Sequence, residues 1–441
     1  MRHSIWNALA LAGALALAGC GGGGSSAPPD STAGSVNAAS KAPTAAPAGG
    51  FKAMVVFGDS LSDDGAYTLA AISQYGAQVP FTGLPYPAGG QFTVNGAATG
   101  NWTNVVAKSL GLGLTPNLIG YAGNYLNPPS ATPSTSPVYC PFSPASSCYD
   151  FAEGGSMVSD PDGIGHGTGA LTIPVTRQVQ NYLTQFSTFN HGQLITVLAG
   201  NNDILTAFGS LSAQVNQVVT QAATQAARAG APLTPAQQAA LQQQATSLAL
   251  VVAQATVSAA ADQLAGVVQA ILATGGKYVL VYTLADSSLS PFGRGLPYTG
   301  ATPPTAPPAG YACNNKDATQ PCYLLSNLVQ VFNRRLLHAL QGQPVKILDG
   351  FALFNQEIAN PAQFGFTNDT TPWCNPATTS SLLCNVNTPN TAAGASSANL
   401  GSWLFADSVH PTPAGYRVIA NATLQAISGF GWTQLPASTE F

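Results

Sequence analysis

Ser60 follows an apolar run, Met54-Val55-Val56-Phe57, and sits within Gly58-Asp59-Ser60-Leu61-Ser62-Asp63. The run reads as a buried strand. A chain that turns at Ser60 would present the hydroxyl at the carboxyl end of a sheet, where ligands bind in open α/β folds. Backbone N–H groups of Ser60 and its neighbours would face the same space and could stabilise an oxyanion. A serine after a strand is also a common helix cap, so this segment alone leaves both readings open. Far along the chain, Asp407-Ser408-Val409-His410 puts a carboxylate three residues before a histidine. At that spacing the carboxylate can hold Nδ1 and leave Nε2 free as a base, although the same aspartate could cap a helix. Of the 5 histidines, His3 lies in an N-terminal leader, His338 beside the apolar stripe of a helix, His166 in a Gly-rich stretch and His191 in a loop. Only His410 has a carboxylate at this spacing.

Two further segments lie between these ends, Phe151-Ala152-Glu153-Gly154-Gly155 and Gly200-Asn201-Asn202-Asp203. In their order and residue types, the four segments resemble the blocks of the SGNH/GDSL hydrolase family, over residues 51 to about 430. The resemblance implies Ser60 as nucleophile, His410 as base and Asp407 as its acid partner. It also implies an oxyanion hole from the N–H of Ser60, the N–H of Gly154 (Gly155 being the fallback) and the side-chain amide of Asn202. The implied chemistry is ester hydrolysis through an acyl-enzyme, with a small-molecule or lipid ester as substrate and no metal or organic cofactor. Acyl transfer or phospholipase action on the same site, and a non-catalytic surface lipoprotein, are the alternatives. Asp59 and Asp63 read as turn-capping residues. Ala66 departs from the family, many members of which have Asn there. The Gly-x-Ser-x-Gly elbow of the other large serine-esterase scaffold is absent.

The elements that must position these residues alternate. Strands are expected at 54–57, 193–198, 277–284 and 345–348, and helices at 102–110, 211–229, 235 to about 273, 324–340 and 413–427. Thr234-Pro235 and Thr412-Pro413 both read as helix starts. Alternation of this kind makes a parallel sheet with helices on both faces, and the resemblance sharpens this to a three-layer α/β/α, flavodoxin-like fold. Residues 211–249 read as an inserted helical hairpin, 76–150 as long loops around one helix, and 350–400 as mostly loop. Residues 51–441 are expected to form one domain, a monomer.

Residues 1–19 read as a signal peptide. Leu17-Ala18-Gly19-Cys20 resembles a lipobox, which implies lipidation of Cys20 and a membrane link through that lipid; Gly21 in place of Asp points to the outer membrane. Residues 20–50, rich in Gly, Ser, Pro and Ala, read as a flexible tether of roughly 30 Å. The remaining six of the 7 cysteines fall in three close couples, Cys140/Cys148, Cys313/Cys322 and Cys374/Cys384, as expected for local disulfides in an oxidising compartment. Charged residues are only 7% of the 441, with net charge −4, which excludes electrostatic nucleic-acid binding.

Overall fold

The computed structural model describes residues 30–67, 90–97, 99–119, 138–139, 148–168, 170–295, 313–316, 320–375, 378–379 and 382–434. In chain order the helices are α1 (Asp30–Ala39), α2 (Trp102–Ser109), α3 (Val175–Phe186), α4 (Asn201–Arg228), α5 (Pro235–Ala273), α6 (Pro321–Ala339), α7 (Gly350–Ala359) and α8 (Pro413–Gly429). The strands are β1 (Ala53–Gly58), β2 (Leu118–Ile119), β3 (Val138–Tyr139), β4 (Gln193–Leu198), β5 (Tyr278–Tyr282) and β6 (Lys346–Leu348). β2 and β3 form a short antiparallel pair, while the main sheet is parallel, in the order β1-β4-β5-β6. Its register pairs Val56 with Thr196, Thr196 with Leu280 and Leu280 with Lys346.

β1, β4 and β5 are buried along their whole length. Their continuous apolar sequences are what a parallel sheet covered on both faces requires. One face carries α3, α5 and α6; the other carries α2 and α8. On the second face, Trp102 of α2 packs against the Tyr282 ring at 5.1 Å, and the Tyr282 hydroxyl bonds Thr423 of α8 at 2.8 Å. The three-layer α/β/α arrangement expected from the sequence is therefore present. Beyond β1, the segment around Asp150 runs parallel to it: the Val56 N–H donates to Tyr149 O and the Phe151 N–H to Val56 O.

Helix starts follow local chemistry. Thr234 and Gln237 form a capping box ahead of Pro235, and Thr412 caps α8 ahead of Pro413. Asn101 accepts the Thr103 N–H at the start of α2. The sequence reading missed α3, and it took 350–400 as mostly loop although α7 occupies its first ten residues. Asp349 nucleates α7 by accepting the Ala352 N–H at 3.0 Å, a cap that the Gly at the first helical position obscures. The hairpin is also not a separate insertion at 211–249. α4 and α5 are continuous from 201 to 228 and from 235 to 273; their roots are core and only their far ends project. On α4 the last buried residue is Val215; on α5 burial begins at Ala245 and follows a stripe through Ala249, Ala253, Val257 and Leu264. At 39 residues, α5 is about 60 Å long.

The tether reading also needs correction. Residues 30–50 lie on the domain rather than away from it. Asn37 of α1 pairs with the outer edge of β6, accepting the Ile347 N–H at 2.7 Å and donating to Ile347 O at 2.8 Å. The Trp432 indole donates to Pro43 O at 2.6 Å, and Val36 and Ala42 are buried. A side-chain amide thus covers an edge strand that would otherwise expose unpaired backbone groups. Hydrogen bonds and two isolated apolar residues, Val36 and Ala42, make this docking, so no apolar period announces it. Residues 1–29, with Cys20, lie outside the described residues.

Disulfides join Cys313 to Cys322 and Cys374 to Cys384. Cys140, expected to pair with Cys148, lies outside the described residues.

Candidate active site

Ser60 occupies a turn at the end of β1. The Gln178 amide clamps the last strand residue from both sides, accepting the Gly58 N–H at 3.0 Å and donating to Gly58 O at 2.8 Å. Asp59 holds the turn itself. Its carbonyl accepts the Ser62 N–H, its Oδ1 accepts the Leu61 N–H, and its Oδ2 accepts from Asn201 Nδ2 at 3.0 Å. Burial raises the Asp59 carboxyl, against the lowering effect of these bonds. The expectation that Asp59 and Asp63 shape the turn agrees with these contacts.

Ser60, His410 and Asp407 meet across the carboxyl end of the sheet. Ser60 Oγ lies 2.8 Å from His410 Nε2, and His410 Nδ1 lies 2.9 Å from Asp407 Oδ2. Asp407 Oδ1 also accepts the N–H groups of Val409 and His410, so the carboxylate is fixed by the turn that carries the histidine. Burial by itself would raise the Asp407 carboxyl; the His410 ring and these hydrogen bonds outweigh it and hold the group below its usual range. The Phe92 ring packs on the imidazole, centroid to centroid 5.1 Å. Behind this turn, the Cys374 N–H donates to Ala406 O at 2.9 Å, so the Cys374–Cys384 disulfide braces the segment leading into Asp407. The other described histidines, His166, His191 and His338, are exposed and do not line the cavity.

The Gly-Asn-Asn-Asp segment opens α4, and its three side chains do different things. Asn201 grips Asp59, Asn202 donates to Ser156 O at 2.9 Å, and Asp203 accepts the Val158 N–H at 3.0 Å. Burial raises Asp203 to about 7. Gly200 has φ +120, and a Cβ there would run into the Phe332 ring. Only a glycine lets α4 start this close to α6.

Gly154 was the first choice for an oxyanion donor, and its geometry argues against it. Its N–H donates to Asp63 Oδ2 at 2.8 Å, and its carbonyl accepts the Tyr67 hydroxyl at 2.8 Å. The next residue, Gly155, has φ +77 and lines the cavity, and its N–H makes no hydrogen bond among the described residues. A Cβ on Gly155 would collide with Ile164 O. The spacing of the two glycines could not distinguish them; the carboxylate from the serine segment does. The open donors are therefore the N–H of Ser60, the N–H of Gly155 and the second hydrogen of the Asn202 amide.

A group of buried acids backs this loop. Asp63 Oδ1 accepts the N–H groups of Gly65 and Ala66. Asp150 Oδ2 accepts the Asp64 N–H at 2.7 Å, and Glu153 accepts the Ile173 N–H. Burial raises Asp63 to about 6. Burial, reinforced by neighbouring carboxylates, pushes Asp64, Asp150 and Glu153 well above their usual values. No group of three or more His, Cys, Asp or Glu able to hold a metal ion occurs among the described residues.

The site opens into a cavity of about 330 Å³. Ser60, His410, Asn202 and Gly155 line one part; Leu205, Leu348, Leu353, Phe354, Leu404, Phe405 and Ile419 line much of the rest. Such a mostly apolar pocket with a few convergent polar groups suits an organic ligand. Its other polar lining residues include Thr283, Ser290 and, buried on α7, Glu357. The sequence reading passed over Glu357 because it lay in a supposed loop; helical spacing from Gly350 would have put it on the cavity face.

Comparison with known families agrees with this geometry. The GDSL-like Lipase/Acylhydrolase family model matches residues 54–423. The chain belongs to this family. The match spans β1 to α8 and takes in all four segments read from the sequence. As a GDSL-like lipase/acylhydrolase family member, the chain is of the hydrolase class that its site chemistry suggests. No curated protein matches it.

Proposed function

We propose that this GDSL-like chain hydrolyses carboxylic esters through a Ser60 acyl-enzyme. The observation that carries the reading is the unbroken hydrogen-bond chain from Ser60 Oγ through the His410 ring to Asp407, 2.8 and 2.9 Å long. His410 Nε2 takes the Ser60 proton as Oγ attacks the ester carbonyl. Asp407, ionised and immobile, keeps the proton on Nδ1 and stabilises the imidazolium. The developing oxyanion is held by the N–H of Ser60, the N–H of Gly155 and the Asn202 amide, where each donor is worth about 3–4 kcal/mol of transition-state stabilisation. His410 then protonates the leaving alcohol. Water, deprotonated by the same nitrogen, releases the acid and restores Ser60.

The apolar cavity supports an ester with a hydrocarbon portion beside the reacting carbonyl. The test is hydrolysis of p-nitrophenyl esters from acetyl to palmitoyl by the wild type and Ser60→Ala. Activity on at least part of the series, lost in the variant, supports the reading. Equal activity in both would refute it. The segment Leu17-Ala18-Gly19-Cys20 supports a lipid anchor in the cell envelope, linking the enzyme to the membrane; incorporation of labelled palmitate, lost in Cys20→Ala, tests that part.

A further inference from the structure

Among the described residues that line the cavity, Glu357 is the one charged-type side chain that the chemistry above leaves unused. It is 3% exposed, and no hydrogen bond or ion pair reaches its carboxyl among the described residues. It shares a face of α7 with Gly350, Leu353 and Phe354, at successive helical spacings, and all four line the cavity. Seven residues of helix put it about 10 Å along the axis from Gly350, while Gly350 packs against Thr283 at the end of β5. Much of the cavity lining is apolar, and on the same helix Phe354 lies edge-on to Phe405 at 6.1 Å.

An unpartnered buried acid destabilises the protein that carries it. A leucine of similar size would fill the same space without that penalty. Burial pushes the Glu357 carboxyl up to about 8, so at neutral pH it is an uncharged acid, able both to donate and to accept. Taking the esterase reading as its basis, we infer that Glu357 is a specificity residue that hydrogen-bonds a hydroxyl group on the hydrocarbon chain of the substrate, making hydroxyacyl esters the preferred class. The hydroxyl is the matching partner because it too donates and accepts, and because Leu353 and Phe354, the cavity-lining side chains beside Glu357 on α7, offer a substrate chain only hydrocarbon contacts.

The test compares methyl esters of ω-hydroxyalkanoic acids with unsubstituted esters of equal length, six to twelve carbons, by acid release at pH 7. Binding of the same esters to Ser60→Ala is measured by calorimetry. The wild type should favour the hydroxy ester about tenfold or more in kcat/KM at one or two chain lengths, since unmet polar groups in a site penalise the analogue that lacks the partner. Glu357→Gln, which can still donate and accept, should retain that preference. Glu357→Leu should reverse it and raise Tm. Equal preference at every length, an unchanged ratio in Glu357→Leu, or no binding of either series would overturn the subsite. A preference for amine-bearing esters lost in Glu357→Gln would overturn it in favour of a cation site. Preferential binding of hydroxy esters without turnover of either series would uphold the subsite and sink the hydrolase reading instead.

Discussion

Asp63 Oδ2 accepts the N–H of Gly154 at 2.8 Å across 91 residues of sequence. This bond ties the loop that follows Ser60 to the glycine pair and leaves Gly155, rather than Gly154, as the cavity-lining glycine whose N–H no described group engages. Asp63 is thus a positioning residue. Asp63→Asn cannot offer acceptors to all three N–H groups that the carboxylate now serves. We expect kcat to fall about tenfold or more with KM little changed, and stability to fall by about 1–3 kcal/mol. Steady-state kinetics beside urea unfolding separates the two effects; a change confined to stability would mean that the bond has no bearing on the oxyanion loop.

Donor identity can be tested at Asn202 and Gly155. Asn202→Ala should lose about 10²–10³ in kcat without a matching change in KM. Gly155→Ala must place a Cβ at φ +77 against Ile164 O and should lose both activity and stability. An Asn202→Ala enzyme with wild-type kcat would remove that amide from the oxyanion hole.

The buried acids give stability a definite pH dependence. Asp63 rises from an ordinary value of 3.8 to about 6, and burial, with help from neighbouring carboxylates, pushes Asp64 and Asp150 well above theirs. A folded-state carboxyl raised in this way binds protons that the unfolded chain has released. Stability from these groups is therefore greatest below the unfolded value near 4 and falls as pH climbs through the folded values. For Asp63 alone the difference amounts to about 3 kcal/mol. Asp407 acts oppositely, since its lowered value stabilises the fold above pH 4 and is lost only at stronger acidity. Tm measured from pH 4 to 8 should slope downward, and Asp150→Asn should flatten the slope. A slope unchanged in the variant would show that Asp150 does not titrate in this window.

The Cys374–Cys384 disulfide braces Asp407 through the Cys374 N–H and Ala406 O. For a loop of this size, removing the bond should cost about 3 kcal/mol. Cys374→Ser with Cys384→Ser should also lower kcat, because the turn carrying Asp407 loses its support. Retained kcat at temperatures where the double variant is folded would limit the bond to a stabilising role.

Much of this site was legible in the sequence because its parts are local. The carboxylate three residues before His410, the Gly-Asp-Ser-Leu turn that carries Ser60 and the Asn pair at the head of α4 each carry their geometry within one turn of chain. The four main strands and the Thr-Pro helix starts were legible for the same reason, through apolar runs and capping chemistry. What escaped depends on contacts between distant segments. The choice of Gly155 over Gly154 is made by Asp63, ninety-one positions away. The docking of residues 30–50 is made by Asn37 on Ile347, a polar pairing with no hydrophobic period. Glu357 escaped because α7 begins at a glycine and reads as loop until its cap at Asp349 is seen.

The most direct test of the central claim is reaction of the protein with diisopropyl fluorophosphate, followed by peptide mass analysis. The expected result is one stoichiometric adduct on Ser60, absent from Ser60→Ala and formed at least a hundredfold more slowly in Asp407→Asn, in line with the large losses that follow from misdirecting the histidine. An unmodified Ser60 in folded protein, or an adduct that forms equally fast without Asp407, would contradict the Ser60–His410–Asp407 mechanism.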